Sequence, residues 1–93
     1  MLEIEDIFSS RGKIRILKVL VELEEVHIKE LSRRTKLNHK VISEYLTFLE
    51  GLGIVKQKKF GRISFVKLNE NNPYVRLIQR FINEWQQIKQ VYP

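Results

Sequence analysis

Along residues 11–24, "RGKIRILKVLVELE", apolar side chains fall at Ile14, Leu17, Leu20 and Val21, the spacing of one helix face. Ile16, Val19 and Leu23 widen that stripe until it nearly circles the segment, the pattern of a central helix packed on more than one side. Ser9 or Ser10 is the cap at its start. The next stretch, "VHIKELSRRTKLN", predicts a short extended segment and then a short helix. Ile28 and Leu31 face inward, and Arg33, Arg34 and Lys36 stay on the polar side. His27 takes the N-cap position and Glu30 stands three residues on, an imperfect capping box. Leu37 and Asn38 break the period. A third helix starts at Asn38, a good cap, with Val41, Ile42, Tyr45, Leu46 and Leu49 on its apolar face and His39, Lys40, Ser43, Glu44 and Thr47 opposite. Gly51 and Gly53 end it.

The period then changes. "IVKQKKF" and "ISFVKLN" are rich in β-branched and aromatic residues, and "GR" joins them, which predicts a hairpin. Neither of its faces is cleanly apolar, so its tip is expected to project from the body. "NNP" opens the last element, with Asn72 as cap and Pro73 at the first helical position. The helix that follows runs for about nineteen residues, roughly 28 Å. Val75, Ile78, Phe81, Ile82, Trp85, Ile88 and Tyr92 recur along it at helical spacing. Within that set Val75, Ile78, Ile82, Trp85 and Tyr92 form a heptad-like seam. The stripe is long for the interior of a small domain and predicts pairing with a second copy. Leu2, Ile4 and Phe8 in "MLEIEDIF" are expected to join that interface.

Ninety-three residues suit one domain over 1–93, with a body at 11–69 and a terminal helix at 73–92. Charge changes the picture more than length does. The net charge is +6, yet residues 29–67 alone hold ten Lys or Arg against three Glu, so all the excess positive charge sits in the middle. Five of those cations lie in the hairpin segment 51–69. This asymmetry points to a polyanionic partner. There is no cysteine, hence no disulfide framework and no thiolate metal site. Two histidines and one aspartate are too few for a metal centre or a catalytic triad, so neither an enzyme nor a cofactor is expected. No apolar run approaches the roughly 18 residues of a membrane helix, and the acidic start does not read as a signal peptide, so a cytoplasmic protein is expected.

The element order is helix, short strand, helix, tight turn, helix, two-stranded ribbon, long helix. A helix-turn-helix sets its second helix in the major groove of DNA, and a basic ribbon after it reaches the backbone or the minor groove. The segment "IKELSRRTKLNHKVISEYLTFLEGLGIVKQKKFGRISFVKLN" resembles the winged helix-turn-helix regulators of the ArsR and MarR type, especially small archaeal members. The shared pattern is a helix with "EL", a turn, a helix ending in "LEGLGIV", and a hairpin with Arg near its tip, over residues 11–69. The resemblance implies a mainly α fold with a small antiparallel β wing and a long C-terminal dimerisation helix. Two departures stand out. Glu44 sits where such regulators often carry a basic or neutral polar residue, and a carboxylate there repels phosphates unless it accepts a hydrogen bond from cytosine N4. Metal-sensing ArsR members use a cysteine pair near the second helix, and this chain has none.

On this reading His39 and Lys40 meet phosphate or base edges, and Ser43, Glu44 and Thr47 face the same way. Arg62 enters a minor groove, with Lys58 and Lys59 on the flanking phosphates. Arg33 and Arg34 are backbone contacts or a solvated helix face. The expected partner is double-stranded DNA carrying an inverted repeat, bound by a homodimer that regulates transcription. Two rivals remain: a protein-interaction winged helix within a larger assembly, and a sequence-blind nucleic-acid binder.

Overall fold

A computed structural model describes residues 2–93 and shows why the helices begin where they do. Five helices and three strands follow in the order α1 (Ile4–Phe8), α2 (Arg11–Leu23), β1 (Glu25–His27), α3 (Ile28–Thr35), α4 (His39–Gly51), β2 (Val55–Phe60), β3 (Ile63–Leu68) and α5 (Pro73–Val91). Each of the four longer helices opens on a side chain that accepts from an orphan backbone N–H. The Ser10 hydroxyl accepts from the Lys13 N–H at 3.3 Å, and His27 Nδ1 from the Lys29 N–H at 3.0 Å. Asn38 Oδ1 accepts from the Val41 N–H and Asn72 Oδ1 from the Tyr74 N–H, each at 2.9 Å. The amide nitrogen of Asn72 also donates to the Gly53 carbonyl at 2.9 Å, so one residue starts α5 and ties it to the loop after α4.

The short α1 is not among the elements expected from the sequence. Its signal was the acidic pair that closes its first turn, in which the Asp6 carboxylate accepts from the Glu3 N–H at 2.9 Å. The capping box expected at α3 does not form. His27 caps, but Glu30 turns away from the helix start to Arg33 and Arg34, whose guanidinium groups lie one turn on. A charged partner outbids a single peptide N–H for that carboxylate.

The sheet is antiparallel with strand order β1-β3-β2, so the short extended segment before α3 joins the hairpin as a third strand. Its register places Val26 opposite Val66 and Val66 opposite Gln57, with Val55 opposite Leu68, and this row faces the core. The outer face carries Glu25–Lys67–Lys56, then His27–Phe65–Lys58, then Phe60–Ile63 at the tip.

Around this sheet the core gathers Ile16, Leu17 and Leu20 of α2, Leu31 of α3, Ile42, Leu46 and Leu49 of α4, and Val75 of α5. Helix α2 is central, as its broad stripe predicts, and it meets α1, α3, α5 and the sheet. The Tyr45 ring of α4 reaches over Gly12 of α2, where an added Cβ would stand 2.4 Å from its Cε2. Only a residue without a side chain lets the Tyr45 ring lie so close to the α2 backbone.

One expectation about α5 is corrected here. Val75 is completely buried in the chain's own core, so it does not share a surface seam with Trp85 and Tyr92, whereas Ile78 and Ile82 are half-buried and line an apolar cleft together with Phe81 and Trp85. The uncovered stripe instead runs through Tyr74, Leu77, Phe81, Trp85, Ile88 and Tyr92. It continues onto α1, where Phe8 meets Phe81 edge-on at 5.8 Å and Ile4 is exposed, while Leu2 is half-buried against the core. Of these, Leu2, Ile4, Phe8, Tyr74, Leu77 and Phe81 line an open apolar groove between α1 and α5.

Candidate nucleic-acid interface

The turn between α3 and α4 is braced from within. Lys36 takes the left-handed conformation with φ 60°, which bends the chain after Thr35. The buried Thr35 hydroxyl donates to the Leu31 carbonyl at 2.7 Å, and the Ser32 hydroxyl donates to the Leu37 carbonyl at 2.8 Å. These bonds satisfy polar groups that the tight turn would otherwise strand. Helix α4 leaves the turn with its apolar side held by the core, so its opposite side is fixed in space.

On that opposite side His39, Lys40, Ser43, Glu44 and Thr47 are all exposed. The structure therefore brings these five sequence-derived residues onto one solvent face of α4. Their spacing covers about two turns of helix, the length that enters a major groove. Next to them lies a contact the sequence did not reveal. The Lys13 ammonium sits 3.9 Å from the ring centroid of Phe48 and 5.8 Å from that of Tyr45. A cation on an aromatic face is an attractive contact, and here it holds the start of α2 against the outer edge of α4.

The wing rises beside α4. Strands β2 and β3 are closed by Gly61 and Arg62, and Gly61 carries the positive φ of 65° that a two-residue hairpin turn needs at its first central position. Arg62 thus stands exposed at the tip. Lys58 and Lys59 are exposed too but point to opposite faces, since strand residues alternate. Lys59 shares its face with Gln57, whose side-chain amide donates to Glu50 of α4 at 3.3 Å, so Lys59 lies on the α4 side. Lys58 pairs with Phe65 on the outer face.

Arg33 and Arg34 are placed differently from the rest. Glu30 accepts from Arg33 Nε and from Arg34 Nε, each at 3.0 Å, and Arg34 also reaches Glu22 at 3.6 Å. Hydrogen bonds from Arg33 and then Arg34 hold the Glu30 carboxyl down at about 2, and the same contact raises the Arg33 pKa. Because the folded-state pKa is depressed, the clamp is intact at neutral pH and opens only as pH falls toward that value. Both arginines line an open cleft between α2, α3 and α5 together with Arg15, Lys18, Lys36 and Lys89. Their two charges already face the two carboxylates of Glu30 and Glu22, so they offer less to a phosphate than the wing cations do.

Residues 10–57, which contain α2, α3, the turn and all of α4, match the sequence model described as the bacterial regulatory protein, arsR family. The chain belongs to the arsR family. No curated protein sequence matches it. Among solved structures, its fold is similar to HlyU from Vibrio cholerae N16961, with TM-score 0.73 and 23% identity over 84% of this chain and 82% of that one. It is also similar to the transcriptional repressor BigR from Xylella fastidiosa, with TM-score 0.74 and 22% identity over 87% and 76% of the two chains. The transcriptional repressor PagR of Bacillus anthracis superposes with TM-score 0.67 and 19% identity over 81% of this chain and 83% of its own. At these identities the likeness is one of fold. This arsR-family chain accordingly has the winged helix-turn-helix architecture of transcription regulators: a mainly helical body, a small antiparallel wing and a C-terminal helix. No helix among the described residues is long and apolar enough to cross a membrane.

Proposed function

We propose that the chain is a single-domain transcription regulator that binds double-stranded DNA in a sequence-specific way as a homodimer, in the cytoplasm. The observation that carries this reading is the exposed polar face of α4 beside an arginine-tipped wing, in a chain that also leaves an apolar stripe on α1 and α5 uncovered. Two copies joined through that stripe would present two recognition helices about 34 Å apart, one turn of DNA. Ile4, Phe8, Leu77, Phe81, Trp85, Ile88 and Tyr92 would fill the shared interface.

In each half-site His39 and Lys40 meet the backbone or the first base edges, and Ser43 and Thr47 contact bases further along. Glu44 accepts a hydrogen bond from a cytosine amino group, which turns its charge into selectivity. Arg62 enters the narrowed minor groove beyond the half-site, while Lys58 and Lys59 neutralise phosphates on either side of the ribbon. Arg33 and Arg34 serve as weaker backbone contacts from α3. Occupancy of a promoter by such a dimer excludes other proteins from it, which is the simplest way this architecture regulates transcription.

Selection of bound duplexes from a random pool, followed by sequencing, tests the reading. Enrichment of an inverted repeat with half-sites about 10 bp apart is the expected result. Binding with no enriched sequence would assign the surface to a sequence-blind binder. Absence of binding would favour a winged helix that contacts protein.

A further inference from the structure

The wing carries a row of apolar side chains that phosphate contacts do not use. Phe60 and Ile63 form the last cross-strand pair of the hairpin and bracket Gly61 and Arg62 at its tip. Both lie on the outer face, 61% and 44% exposed. Behind them Phe65 meets Phe60 edge-on at 6.0 Å, and His27 meets Phe65 edge-on at 5.6 Å. An aromatic row thus runs from the body of the sheet to the tip. Phe60 is braced from the rear and open in front.

What would cover this pair is constrained by its neighbours. Residues 56–63 hold Lys56, Lys58, Lys59 and Arg62 and no carboxylate. An apolar protein surface that closed over Phe60 and Ile63 would have to desolvate those cations without partners. A polyanion with an apolar interior satisfies both demands at once, and a DNA duplex is one: phosphates outside, stacked bases within. Cross-strand neighbours stand about 5 Å apart at Cβ, so the two side chains act as one blunt edge.

We propose that Phe60 and Ile63 form a wedge that enters the minor groove beside Arg62, partly unstacks one base step and kinks the duplex there. This rests on the DNA-binding reading above and adds to it a recognition of deformability. The pair would favour flexible pyrimidine–purine steps at the flanks, at positions no side chain reads by hydrogen bonding. Phe65 and His27 keep the wedge from folding back onto the ribbon.

The test uses a duplex recovered by selection, with 2-aminopurine placed at each flanking step in turn and dyes at the two ends. The wild-type chain is expected to raise the 2-aminopurine signal at one step per half-site and to shorten the end-to-end distance. Replacing the pair by Phe60→Thr with Ile63→Thr keeps β-forming residues on an exposed face. This variant is expected to lose both signals and about ten- to a hundredfold in affinity while keeping its salt dependence. Phe60→Leu should retain the kink. A wild-type complex with an unbent duplex and silent probes at every flank overturns the wedge, as does a double variant that bends DNA as well as the wild type. A wild-type chain that binds no duplex at all overturns the DNA-binding reading and the wedge with it.

Discussion

Substituting Gly12→Ala sets two effects of opposite sign against each other. In an exposed helix the exchange stabilises by about 1 kcal/mol, because glycine loses more backbone freedom on folding. Here the new methyl would lie 2.4 Å from Cε2 of Tyr45 and 3.2 Å from its Cδ2, so it meets the flank of the ring and not a flexible chain end. The ring cannot simply swing aside, since it is half-buried against the core beneath the Lys13 ammonium. Forcing a methylene-sized group into a packed contact costs about 1–3 kcal/mol. The clash therefore offsets the propensity gain and leaves a net loss of about 1 kcal/mol. Tyr45 sits between Ser43 and Thr47 on α4, so relief of the clash tilts the exposed polar side proposed to meet DNA as well. Urea denaturation should show the loss of stability, and a titration against a selected duplex should show weakened binding at a temperature where the variant is fully folded. Adding Tyr45→Ala to Gly12→Ala should cost less than the two separate losses together, because the ring that clashes is gone. A Gly12→Ala chain that is more stable than the wild type and binds DNA equally well would refute the close-packing account of how α4 is held.

Three other outcomes follow from the structure. Trp85→Glu places a carboxylate in the uncovered stripe, where burying it unpaired costs several kcal/mol, so the chain should sediment as a monomer with unchanged helix content; a wild-type chain that is already monomeric at tens of micromolar would exclude the α1–α5 interface. Salt should weaken binding with a log–log slope of roughly −5 to −9 for about six to ten neutralised phosphates per dimer, and Lys59→Ala should reduce it by about one unit; an unchanged slope would remove Lys59 from the contact surface. Glu24 ends α2 with φ 65° and ψ −79°, a conformation that L side chains adopt at a cost, so Glu24→Gly should raise stability by about 1 kcal/mol in urea denaturation, and a loss would show that its side chain matters more than its backbone.

The sequence and the structure part company in instructive places. Helices α2, α3 and α4, the hairpin and α5 were legible because each has a clear period and a strong start signal, and Ser10, His27, Asn38 and Asn72 all cap as their positions suggest. Helix α1 was not, because five residues give too little period to register. On α5 the apolar positions occupy nearly two faces. Periodicity identifies both but does not say which one meets the chain's own core, and that is why Val75 was misassigned while Leu77 went unmarked. Glu30 read as a capping residue because only its spacing from His27 was visible, whereas the competition from two arginines is a matter of side-chain reach. The five polar positions on α4 lie together because the apolar face opposite them is unambiguous. The outward aromatic row of the wing needed the strand register, since Phe60, Phe65 and His27 come from three different strands or their ends.

The absence of cysteine gives a direct way to map which surface meets DNA, because one introduced thiol can be labelled alone. An iron-chelate cleavage reagent attached at Ser43→Cys on α4, or at Arg62→Cys on the wing, would cut a selected duplex wherever each position lies. From Ser43→Cys the cuts should fall within the half-sites, in two clusters about 10 bp apart. From Arg62→Cys they should fall only outside those clusters, toward both ends. Cutting by both probes at the same positions, or even cutting along the whole duplex, would contradict a major-groove helix flanked by a minor-groove wing.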